Sequence, residues 1–211
     1  MTLRLKNRFR TTRITTADWM PMVRLPSAGI GKGTRVVDFC AGLGGPARYL
    51  ACRYGADVTG IELTPARVKG AEELTRLVGL QQNVRIIEGN VLRVPLPDAS
   101  FDVVVSQEAL LHVLDKQRTL HEAFRILKPQ GRIAFTDWVA HRPLSDADRK
   151  LMWQDMAVTD LYSLQAYGEL IRAAGFTVCS YGGLGCHSQA AARHVYEASR
   201  GGARSQHACR S

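Results

Sequence analysis

Four residues of this chain have the types and spacing to do chemistry: Asp38, Glu62, Glu108 and His112. The first two flank a glycine-rich stretch, Val36-Val37-Asp38-Phe39-Cys40-Ala41-Gly42-Leu43-Gly44-Gly45-Pro46-Ala47-Arg48. An apolar run that meets an acid, then a small-residue turn, then a helix start is where α/β folds hold nucleotide-like ligands. Glycine there admits positive φ and close backbone approach, and the helix start offers unpaired N–H groups. Glu62 ends Val58-Thr59-Gly60-Ile61-Glu62, 20 residues past Gly42. A carboxylate so placed can accept both hydroxyls of a ribose. Gly42-x-Gly44-x-x-Ala47 also fits the dinucleotide fingerprint in its Gly/Ala form, so loop and acid leave the ligand's identity open. Cys40 is readable as a tolerated small residue or as a reactive thiol.

These groups need a scaffold, and the pattern supplies alternating strands and helices. Strands are expected at Val36–Phe39, Asp57–Ile61, Val84–Glu88, Phe101–Ser106, Arg132–Asp137 and Phe176–Ser180. Helices are expected at Pro46–Tyr54, Pro65–Val78 and Lys116–Leu127, with residues 144–175 wholly helical and a short helix within 17–29. Strands separated by such helices imply an α/β fold: a three-layer Rossmann-like sheet, mainly parallel, with helices on both faces. The pattern offers no adequate seventh strand, because His194–Glu197 is short and lacks a partner turn. The domain reading is a basic arm over 1–30, a ligand-binding domain over 31–181 carrying the helical insertion 144–175, and a low-complexity basic tail over 182–211.

The formal charge of +9 suggests nucleic acid until it is located. Residues 1–35 hold eight Lys/Arg and one acid, and 181–211 hold four and one, which leaves 16 cations and 17 anions between. The body is near neutral and lacks a basic stripe interleaved with aromatics, so no specific nucleic-acid partner is expected. No apolar run approaches the roughly 20 residues of a membrane span. Five cysteines without a repeated spacing fit a reducing, cytoplasmic setting. The acid-free Met1–Thr16 reads equally as a basic arm or an organelle transit peptide. Cys186, His187, His194, His207 and Cys209 match no zinc spacing, so no metal site is expected.

Four motifs in order carry a family resemblance over roughly residues 34–138. They are the glycine loop, Glu88-Gly89-Asn90-Val91, Phe101–His112, and Arg125-Ile126-Leu127-Lys128-Pro129-Gln130-Gly131. Together they resemble the Rossmann-like S-adenosylmethionine (SAM) dependent methyltransferases. The nearer likeness is to the sarcosine/dimethylglycine and phosphoethanolamine N-methyltransferase branch. The resemblance implies SAM as cofactor, held by Asp38, Ala41, Gly42, Gly44, Glu62, Leu63, Asn90, Val91 and Gln107. Gly42 and Gly44 would let the methionine part lie on the backbone, and Asp38 would order the loop near its ammonium. Asn90 stands where an aspartate commonly meets the adenine amino group. Glu108 and His112 match an acid–histidine catalytic pair, and on a helix their four-residue spacing would put both on one face. His112 would then be the base and Glu108 its orienting partner. Apolar residues of the insertion, Met152, Trp153, Met156, Leu161 and Tyr162, would cover the pocket of a small-molecule acceptor, an amine nitrogen first. The alternatives are a C-methyltransferase of a quinone-like or lipid acceptor, a non-catalytic or truncated SAM-fold protein and an NAD(P)-dependent oxidoreductase. For the last, no second mononucleotide half is evident.

Overall fold

Strands form where apolar residues run without alternation, which is the mark of a sheet covered on both faces. The computed structural model describes residues 29–186 and 191–201. In chain order they build β1 (Arg35–Phe39), α1 (Gly45–Tyr54), β2 (Asp57–Glu62), α2 (Pro65–Leu77), β3 (Val84–Glu88) and β4 (Phe101–Gln107). A 3-10 turn at Leu110–His112 follows, then α3 (Lys116–Ile126), β5 (Leu127–Ala140), α4 (Asp146–Met156), α5 (Leu164–Ala173), β6 (Phe176–Cys186) and β7 (Ala191–Arg200). The seven strands make one sheet in the order β3-β2-β1-β4-β5-β7-β6.

Successive side chains of a strand point to opposite faces, and the two cores follow that rule. Val36, Val58, Val103, Val105 and Ala134 pack with Ala47, Leu50 and Ala71 of α1 and α2. Val37, Phe39, Val104, Ile133 and Phe135 pack with Leu120 and Ile126 of α3 and Ile171 of α5. The parallel registers set Asp38 beside Gly60, Glu62 beside Glu88, and Gln107 beside Thr136. The carboxyl ends of the central strands therefore share one edge. The chain reverses direction across the sheet between β1 and β4, where α/β folds open a crevice for ligands.

The structure departs from the sequence reading in three places. A seventh strand is present: β7 runs antiparallel to β5 from Arg132↔Ser199 to Ala140↔Ala191 and antiparallel to β6 on its other side. Its small residues give little periodic signal, yet Tyr196 and Ala198 are buried in the core. The sheet thus continues past residue 181, where the tail was expected to begin. The insertion is not one helical stretch either. α4 stops at Ala157, which takes a left-handed φ of 51°, and an irregular segment leads to Ser163, which caps α5 by accepting the Ala166 N–H. That segment is held elsewhere, because the Thr159 N–H donates to the Leu111 carbonyl at 3.0 Å. The short helix expected within 17–29 falls almost wholly outside the described residues.

Gly60 supports the loop above it. A Cβ at Gly60 would sit 2.4 Å from Ile86 Cδ1 and 2.6 Å from Ala41 Cβ. Overpacking of this kind typically costs about 1–3 kcal/mol. Gly60→Ala should therefore lower the thermal midpoint by several degrees, as read by circular dichroism.

Candidate functional site

The glycine loop between β1 and α1 is shaped by its own backbone and by Glu62. Ala41 N–H donates to Ile61 O at 2.9 Å, and Gly44 N–H donates to Ala41 O at 2.8 Å. Gly44, with φ 74°, then caps α1, and Pro46 suits the first helical turn. Glu62, buried at the end of β2, accepts the Gly42 N–H on Oε2 at 2.9 Å and the Thr64 N–H on Oε1 at 3.0 Å. The Arg67 guanidinium stands 3.8 Å from the same carboxylate but is exposed, so it adds little. Each Glu62 oxygen has a second lone pair available to a hydroxyl. Gly42, with φ 55°, faces open space where a Cβ would meet no atom within 4 Å.

Asp38 lies beneath this loop at 1% exposure. It accepts the Ala47 N–H at the start of α1, while its Oδ2 has no hydrogen-bond partner among the described residues. Burial first, and the charge of Glu62 second, push its carboxyl up to about 7. A buried acceptor without a donor is rare and calls for a partner beyond the described residues. Cys40 sits among these acids with a left-handed φ of 58°. Burial, followed by the charges of Asp38, Glu62 and Asp137, pushes its thiol up to about 12. This disfavours the thiolate, the nucleophilic form, and speaks against the reactive-thiol reading.

The other expected residues divide. Leu63 is 66% exposed beside the loop, and Val91 is buried after β3. Asn90 Oδ1 accepts the Leu92 N–H at 2.8 Å, so its side chain closes the turn that carries Val91. Gln107 ends β4 on the same edge. Glu108 and His112 do not share a helix face. Glu108 takes a left-handed φ of 48°, its N–H donating to Thr136 O at 2.8 Å, and only Leu110–His112 form a 3-10 turn. His112 instead finds the insertion: its Nδ1 lies 3.1 Å from the Ala157 carbonyl. A carbonyl can only accept, so Nδ1 carries a proton, and in the neutral ring Nε2 holds the lone pair.

Sequence reasoning missed what fixes this turn. Asp137, fully buried within β5, accepts the Leu111 N–H on Oδ1 at 3.1 Å and the Tyr167 hydroxyl on Oδ2. Burial pushes Asp137 up to about 6, against the lowering by Tyr167 and Lys116. Lys116, itself buried, donates to the carbonyls of Val113 and Asp160, both at 3.1 Å. The available signal was an acid closing the apolar run Ile133-Ala134-Phe135-Thr136-Asp137. Among the described residues no group of three His, Cys, Asp or Glu could hold a metal, and no helix is long and apolar enough to cross a membrane. His187, His207 and Cys209 lie outside those residues.

Residues 37–135 match a family profile described as a methyltransferase domain. A glycine/sarcosine/dimethylglycine N-methyltransferase of Actinopolyspora halophila is 40% identical over 121 residues, 57% of this chain and 21% of the relative. Phosphoethanolamine N-methyltransferase 3 of Arabidopsis thaliana is 30% identical over 162 residues, 77% of this chain and 31% of the relative. The chain thus spans a third or less of the length of these two relatives. Among solved structures, Haemonchus contortus phosphoethanolamine N-methyltransferase 2 in complex with SAM aligns with TM-score 0.75 at 20% identity. That alignment covers 85% of this chain and 51% of the other. The cyclase SpnF aligns with TM-score 0.79 at 20% identity, covering 92% and 84%.

Glu62→Gln keeps the shape of the side chain but turns one acceptor into a donor facing Gly42 or Thr64. The expected loss is about 1–3 kcal/mol. It should register as a lower thermal midpoint and faster amide exchange at Gly42 and Thr64.

Proposed function

We propose that the protein, whose residues 37–135 match a methyltransferase-domain profile, binds SAM over the glycine loop and methylates a small molecule. The acceptor is proposed to be an amine, the substrate class in the names of the two relatives above. One observation carries the cofactor reading: buried Glu62 holds the Gly42 N–H beside open space, and beneath the loop the buried Asp38 Oδ2 has no donor among the described residues. These groups fit the ligand. Asp38 suits the ammonium of its methionine part, Glu62 the ribose hydroxyls, and the Asn90–Val91 turn the adenine. When bound, SAM supplies an electrophilic methyl group on a sulfonium with a neutral thioether as leaving group.

The chain's own part is to position and to move a proton. Little else is needed when the leaving group is good, and alignment of donor and acceptor supplies much of the rate. An amine that arrives as an ammonium must lose its proton first, and His112 Nε2 is the atom to receive it. The Ala157 carbonyl holds the ring in the right tautomer. Glu108, on a backbone held by Thr136, stands four residues before His112 and adds negative charge near a cationic acceptor.

Calorimetry with SAM tests the cofactor, and no binding at millimolar SAM would overturn it. Asp38 must be ionised to accept from an ammonium. With its carboxyl at about 7, affinity should weaken about tenfold from pH 8 to pH 6, with proton release on binding. Asp38→Asn should bind weakly and without this pH dependence.

His112→Ala should lower kcat by about 10²–10⁴ on a methylated amine, with SAM affinity unchanged. A panel of sarcosine, dimethylglycine and phosphoethanolamine supplies the acceptors. Undiminished turnover on any accepted amine would remove His112 from the chemistry.

A further inference from the structure

The segment between β3 and β4, residues 89–100, contains Asn90 and Val91 but has no helix or strand of its own. Its backbone groups must still be paired, and side chains of α3 supply several of the partners. Glu122 Oε2 accepts the Val94 N–H at 2.8 Å. Arg125 donates to the carbonyls of Val94 and Leu96, both at 2.9 Å, and to the Asp98 carboxylate. Its Nε and Nη2 also hold Glu122, at 3.1 and 2.8 Å. Arg118 Nε reaches the Leu92 carbonyl at 3.1 Å. Arg125 keeps the buried Glu122 carboxyl below the usual range, so the pair is ionised.

This pairing reaches the site through short covalent steps. The Leu92 carbonyl is held by Arg118 while the Leu92 N–H is held by Asn90 Oδ1. Arg93 N–H closes back on Asn90 O at 2.9 Å, and Gly89 N–H donates to Glu62 O at 3.0 Å. Val91 and Val94 are both buried in the core that contains Ile61. A shift of the clamp therefore moves the Asn90–Val91 turn relative to Glu62.

We propose that Glu122 and Arg125 are positioning residues for SAM, fixing through residues 92–98 the turn against which the adenine rests. The inference rests on the cofactor reading above. It assigns the pair a role in affinity, beyond bracing the fold. Arg125 cannot be replaced by a lysine here, since a single ammonium cannot span two carbonyls and two carboxylates as the planar fork does.

The test is calorimetry with SAM on the wild type, Arg125→Lys and Glu122→Gln, each at the same interval below its own thermal midpoint. Amide exchange is followed at Leu92 and Val94. The expected result is a Kd raised about tenfold in either variant, with faster exchange at both amides and, once an acceptor is known, kcat at saturating SAM within about twofold. Glu122→Gln keeps volume and carries the test if Arg125→Lys does not fold. A Kd within twofold of wild type in a folded variant makes the pair a structural brace and overturns the proposal. Wild-type protein that binds no SAM overturns the cofactor reading itself, and this proposal with it.

Discussion

Glu62 accepts one amide from each of two loops on separate oxygens, and the arrangement of the whole ligand edge depends on it. Gly42 belongs to the turn after β1 and Thr64 to the turn after β2, so the carboxylate joins the two turns beyond the end of the β1–β2 ladder. Charge-assisted bonds to N–H groups are about twice as strong as neutral ones, which lets a single side chain do this. The cost is a buried negative charge within range of a second, Asp38. The loop is thus built by the same charges that would receive a cationic ligand.

Two other sides of the edge are held from the opposite face of the sheet. Arg118, Glu122 and Arg125 of α3 hold the segment after β3, whereas Asp137, Tyr167 and Lys116 hold the turn after β4. In both cases a charged side chain reaches backbone that has left regular structure. Buried polar groups of this kind are stabilising only when fully paired. Here they fix loops whose sequences have no strong preference of their own.

The central sheet was legible because its strands are buried on both faces and read as continuous apolar runs, as in Val103-Val104-Val105. Asp38, Gly42 and Glu62 were legible for a related reason: strand ends and tight turns restrict residue type. The relation of Glu108 to His112 was misread. Four-residue spacing implies one face only on a helix, and a left-handed residue at 108 followed by a 3-10 turn breaks it. The partner of His112, a backbone carbonyl at Ala157, leaves no trace in residue identity. β7 escaped because its pairing with β5 and β6 is a tertiary fact, and alanines and serines conceal it. Asp98 and Leu96 read as loop residues, and nothing local tells that Arg125 holds them.

Asp38 and Glu62 also bear on how long a molecule of this protein survives. The fold encloses two neighbouring carboxylates and an acceptor atom without a donor among the described residues. A cation that binds there favours the folded population by mass action, by roughly 2.7 kcal/mol at a hundredfold excess over Kd. Clearance in cells draws on the opened fraction, so differences of this size change abundance several-fold. With SAM as that cation, the amount of protein would track the supply of methyl donor.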